Sequence, residues 1–150
     1  LGNKFLAHIR EVDAIIHLVR CFESDTITHV NSEINPINDL ETIKTEIMLS
    51  DIDIIQKKLE KGKKKLLSEK EIIILENKLN LLNKGEDVVS DKEDEDKFLS
   101  SIGLLSIKPK IIVCNVDEGS LASGNKFTEN VKAKYSKEKI VIIVRVYEVF

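Results

Sequence analysis

"KPKIIVCNVDEGS" (residues 108–120) is the stretch on which the fold of this chain turns. Lys108-Pro109 leads into a β-branched and apolar run that is too continuous for a strand with one wet face. That pattern predicts a buried strand over 108–116. It ends abruptly in an amide at Asn115 and carboxylates at Asp117 and Glu118. In open α/β sheets, ligands bind beyond the carboxyl ends of parallel strands. An Asn amide can donate and accept, and a carboxylate can accept two N–H donors from the edge of a base. The plain alternative is that Asn, Asp and Glu close strands and open loops in most proteins.

Two further stretches share the strand pattern. "DAIIHLVRCF" (13–22) is continuously apolar, which suits a strand covered on both faces, and "KIVIIVRVYEVF" (139–150) predicts a third strand. Helical periodicity fills most of the rest. Phe5, Leu6, Ile9 and Val12 share one face of a helix over 2–12. Asn35-Pro36 supplies an N-cap and a first-turn Pro for a long helix reaching about Lys61. Ser68 and Glu71 form a capping box for a second helix, with Gly85 at its end. The two make an antiparallel hairpin of coiled-coil character. Ser90 and Glu93 suggest another capping box and a short helix to Ser101, and 128–137 a weak helix. Strand, helical excursion, strand, helix, strand describes an α/β sheet.

Composition narrows the function. Apolar residues make up 42% and charged residues 33% of 150 residues, which is the balance of a globular chain. A net charge of −3 gives no overall pull toward nucleic acid, and nothing suggests a reader of DNA sequence. No apolar run approaches the roughly 18 residues that span a membrane. Cys21 and Cys114 lie inside apolar runs, as small core residues of a reducing compartment do.

Candidate sites are few. "GSLASGNK" (119–126) spaces Gly119 and Gly124 as a phosphate loop would, but Asn125 and Lys126 stand where Lys and Ser or Thr are required. No GxxxxGK[ST] occurs elsewhere in the sequence. "KKLEKGKKK" (57–65) places Lys61, Lys63, Lys64 and Lys65 at the hairpin tip, either as a solvated turn or as a contact for RNA or a ribosome. No aromatic residue is interleaved to stack on bases. His8, His17 and His29 are scattered, so no metal site is expected, and no catalytic Ser–His–Asp or Cys–His set can be assembled.

"LGNKFLAHIREVDAIIHLVRCFESDTITHV" (1–30) resembles the YchF / Obg-like ATPase family, P-loop NTPases related to translation-factor GTPases. The likeness continues through "INPINDLETIKTEIMLSDID" (34–53) and returns at "LLSIKPKIIVCNVDE" (104–118). It implies a partial nucleotide-binding domain, with a parallel G-domain-like sheet, over 1–34 and 86–150. The inserted helical hairpin would occupy 35–85. It also implies that the helix over 2–12 is the switch II helix. Asn115–Glu118 then stand where GTPases carry Asn-Lys-x-Asp. In that register Asn115 and Val116 flank the base and Glu118 is the third base-binding position. The GTPase Asp grips guanine N–H groups that adenine lacks, and here the acid is a methylene longer and the Lys has become Val. The ligand so implied is ATP or GTP, the partner a ribosome or RNA, and the location the cytoplasm.

The departures carry expectations too. The phosphate loop, the ligands of the family's Mg²⁺ and the TGS domain would lie outside these residues. The chain is thus expected to be a central fragment with no catalytic residues, unable to hydrolyse nucleotide alone. Near 144–148 the family's Ser-Ala-x-x-Glu-like loop is reduced to Glu148. The alternatives are a non-catalytic module that docks through its hairpin, or an inert gene remnant. Nothing sets the oligomeric state.

Overall fold

The computed structural model describes residues 2–23, 33–62, 67–90 and 92–144. The elements are α1 (Asn3–Ile9), β1 (Ile15–Arg20), α2 (Pro36–Gly62), α3 (Glu69–Asn83), α4 (Glu93–Ser101), β2 (Lys110–Val116), α5 (Lys126–Lys134) and β3 (Lys139–Val144). The class is α/β, with one parallel sheet in the order β1-β2-β3.

Two compact units divide the chain: 14–42 with 110–150, and 1–13 with 43–109. The first holds the sheet. The register sets Val19 beside Cys114 and Cys114 beside Ile142. Side chains alternate across a sheet, so one face carries Val19, Ile112, Cys114 and Val116. These are buried with Leu40 from the start of α2 and Val131 from α5. Cys21 and Cys114 are free thiols, fully buried in this core. The hydrogen bond shared with Cys114, and then burial, push the Cys21 thiol far above its ordinary value.

The other face differs from expectation. β1 was expected to be covered on both sides, yet Ile16 is 67% and Leu18 59% exposed, with Val141 of β3 at 46%. A continuous apolar run reports hydrophobicity, not which neighbour covers each face.

The second unit is built on α2 and α3. Asn35 Oδ1 accepts the Asn38 N–H at 3.0 Å, starting α2 as the Asn-Pro pair predicts. Ser68 and Glu71 form the expected reciprocal box at the head of α3, and the N–H and hydroxyl of Ser68 hold the Glu71 carboxyl below its usual range. Gly85, with φ +73, lets the chain leave α3 through a paired N–H closure, Glu86 to Leu81 and Gly85 to Leu82. Gly62 leaves room for Leu67, since a Cβ there would lie 2.4 Å from Leu67 Cδ1. Ile55, Leu75, Leu82, Leu99 and Leu104 form the core between the helices, and Lys44–Asp87 closes the end away from the tip.

Three local expectations change. α1 stops at Ile9, leaving Val12 exposed beyond it. The box expected from Ser90 and Glu93 does not form: Ser90 Oγ engages the Lys92 main chain, and α4 starts after Lys92 without a side-chain cap. Its Glu93 pairs instead with Lys97 at 2.6 Å, and its Glu95 with the buried Lys78 at 2.5 Å. α5 starts at Lys126, two residues before the expected 128, because Asn125 caps it.

Candidate functional site

The carboxyl ends of β1 and β2 meet the head of α5. At Asn115 and Val116 the alternation of the strand sends successive side chains to opposite faces. Val116 is fully buried in the sheet core. Any ligand contact it makes therefore runs through its main chain. Asn115 lies on the opposite face, level with Arg20 and Ile143 in the register. Its main-chain carbonyl accepts the Cys21 N–H at 2.8 Å. Its side-chain Oδ1 is buried and has no hydrogen-bond partner among the described residues. A buried acceptor without a donor is costly, and such groups often mark a place where a ligand completes the set.

After Val116 the chain turns sharply. Asp117 is extended and precedes a single 3₁₀ turn, Glu118–Ser120. The Ser120 hydroxyl donates to Asp117 Oδ1 at 2.7 Å, and the Ser120 N–H to the Asp117 carbonyl at 3.0 Å. Glu118 is exposed at the head of this turn.

A cleft of about 440 Å³ opens here, lined by Phe22, Glu23, Asp117, Ser120, Asn125, Lys126 and Phe127. Its size falls among small-molecule sites. Asn115, Val116 and Glu118 are not among the lining residues; Asp117 between them is. Charge around the mouth is balanced. Lys126 pairs with Glu23 at 3.2 Å and sits 4.9 Å from the Phe127 ring centre. Arg20 lies 4.6 Å over the Phe22 ring, and its Nε donates to the Phe22 carbonyl at 3.2 Å. An N–H donor would suit the Asn115 acceptor, and the exocyclic amine of a purine is one. The Asn115 acceptor is chemically compatible with such a donor.

Asn125 has no role in the sequence analysis beyond the rejected phosphate loop, and the helix expected there begins only at 128. Its Oδ1 accepts from the N–H groups of Phe127 and Thr128, at 3.0 and 3.1 Å, and its Nδ2 donates to the Cys21 carbonyl at 2.7 Å. Thr128 is fully buried and returns the cap, accepting the Asn125 N–H at 2.8 Å. The signal was present: Asn-x-x-Thr is a cap-and-return spacing at a helix start.

Lys61 is exposed in the last turn of α2, while Lys63, Lys64 and Lys65 lie outside the described residues, as do His29 and Glu148. Among the described residues no group of three His, Cys, Asp or Glu could hold a metal ion, and no helix is long and apolar enough to cross a membrane.

No protein-family model matches the chain. Individual proteins do. The ribosome-binding ATPase YchF of Mycoplasma genitalium is 38% identical over 148 residues, covering 93% of this chain and 40% of that protein. The proteins of the same name from Haemophilus ducreyi and Bacillus subtilis are 37% and 36% identical, covering 95% and 96% of the chain. The solved structure of the Schizosaccharomyces pombe YchF GTPase superposes with a TM-score of 0.82 at 27% identity, over 96% of this chain and 43% of that one. The chain spans 40% to 42% of the length of these bacterial relatives.

Proposed function

We propose, from the premise that this chain belongs to the YchF family, that its sheet unit holds the base end of ATP or GTP at Asn115–Glu118. The observation that carries this is the buried, unpartnered Oδ1 of Asn115 at the carboxyl end of β2. The base is gripped by the Asn115 side chain and the Val116 main chain, with Glu118 reaching in from the turn. The polypeptide to which such a stretch contributes acts as a cytoplasmic, ribosome-associated nucleotide hydrolase. Phosphates and Mg²⁺ are the business of other residues, because no GxxxxGK[ST] occurs in these 150.

The test uses these 150 residues by themselves. Adenosine or guanosine at millimolar concentration should shift the Asn115 side-chain amide in an NMR titration; silence there sinks the base-site reading. Calorimetry with ATP or GTP should show nothing tighter than about millimolar, or roughly −4 kcal/mol. Micromolar binding would contradict the division between base and phosphate residues.

A second reading has its own support. The unit built on α2 and α3 has a separate buried core, as a docking module needs. In that reading the tip, Lys61 with Lys63–Lys65, contacts the ribosome through phosphate charge. Replacing Lys63–Lys65 with Glu should abolish co-sedimentation with ribosomes; unchanged co-sedimentation leaves the tip a solvated turn.

A further inference from the structure

We propose that Asn125 is a positioning residue of the base site, tying the ends of β1 and β2 to the head of α5. The inference rests on the base-site reading above and adds a residue that no motif in the family resemblance contains. A relay of three short hydrogen bonds carries it. Asn125 Oδ1 holds the Thr128 N–H at 3.1 Å, Asn125 Nδ2 donates to the Cys21 carbonyl at 2.7 Å, and the Cys21 N–H donates to the Asn115 carbonyl at 2.8 Å. The first link is the cap of α5, the second joins that cap to the end of β1, and the third joins the ends of β1 and β2, so the Asn125 amide reaches β2 through Cys21. The relay lies against the core: Cys21 and Thr128 are fully buried, so water competes poorly for these bonds. Gly124, directly before it, has φ +74, and a Cβ there would lie 2.6 Å from Thr128 Oγ1. The backbone is thus left one way to approach the relay.

The two ends of the Asn125 amide have separable roles. The oxygen caps α5, a role that Asp fills as well or better beside the positive end of a helix. The nitrogen reaches across to the Cys21 carbonyl, and no acid can replace that donor. Asn125→Asp therefore keeps the helix cap and breaks the cross-strand link, setting two acceptors against each other. Asn125→Ala removes both. With the link broken, Cys21 loses its tie to the head of α5, so its N–H bond to the Asn115 carbonyl is held less firmly.

The experiment compares the isotope-labelled wild-type chain with Asn125→Asp and Asn125→Ala. In Asn125→Asp the Phe127 and Thr128 amides should keep their protection, because the oxygen that caps α5 is retained. The Cys21 amide should exchange roughly tenfold faster, and the adenosine-induced shift at Asn115 should be lost. Wild-type exchange at Cys21, or an unchanged adenosine response, overturns the proposal. Asn125→Ala should lose protection at Thr128 as well; retained protection there means the cap is not made by Asn125. Should wild type itself ignore adenosine and guanosine, the base-site reading falls. The Cys21 exchange rate still decides whether Asn125 positions the strand ends.

Discussion

The carboxylate of Asp51, in the middle of α2, accepts the main-chain N–H of Leu105 at 2.9 Å, across 54 positions of sequence. Its second oxygen accepts the Ser106 N–H at 2.7 Å, and the residue is fully buried. One side chain thereby satisfies two amides of the turn that leads into β2. Asp51→Ala would leave both donors buried without a partner. A loss of about 2–4 kcal/mol follows, since each orphaned donor costs on the order of 1–3 kcal/mol. Asp51→Asn, which keeps one carbonyl acceptor, should lose about half as much. Exchange at the Leu105 and Ser106 amides reads the effect locally. Wild-type protection in Asp51→Ala would show that the turn stands without its carboxylate.

Gly124 is held at φ +74, and a side chain there would meet Thr128 Oγ1 at 2.6 Å. Gly124→Ala should destabilise by roughly 2–3 kcal/mol, combining left-handed backbone strain with a disturbed helix cap. Thermal melting checks the size of the loss. Gly2→Ala, with nothing within 4 Å of the added methyl, is the matched control and should be close to neutral.

His17 lies in β1 with its Nε2 buried and unpartnered among the described residues. Burial first, and the Lys110 charge second, lower its pKa from 6.5. The folded state therefore disfavours the imidazolium. The sign follows: stability is greatest above pH 6.5 and falls as pH drops from there through the lowered folded value. Denaturation midpoints between pH 5 and 7.5 should show this slope, and His17→Gln should flatten it. An identical slope in the variant would assign the pH dependence elsewhere.

Ile16 and Leu18 of β1 and Val141 of β3 leave an apolar sheet face exposed. Such faces promote self-association. Leu18→Lys should reduce sedimenting aggregates and dye binding while changing stability by only about 0.5 kcal/mol. A large drop in melting temperature would instead mean that Leu18 is packed in solution.

Local signals carried much of this architecture. The Asn-Pro start of α2, the Ser68–Glu71 box and the glycine after α3 were legible because each is a contact between residues a few positions apart. The identical spacing at Ser90 and Glu93 misled. There Glu93 pairs with Lys97 of its own helix at 2.6 Å, and Ser90 Oγ turns to the Lys92 main chain. The polar ending of β2 could be picked out as a candidate site, and the resemblance to YchF proteins assigned it a base. That reading could not say that Val116 would turn into the core, or that Asn125 would cross to Cys21.

By itself, the sequence determined the α/β class and the starts of α2 and α3, because periodicity and caps are written in neighbouring residues. Only the tertiary structure decided which sheet face stays open, which acceptor is left without a donor, and which amide joins the strand ends. Those depend on groups brought together from positions as far apart as Cys21 and Asn125, and a distance of 104 residues leaves no local pattern to read.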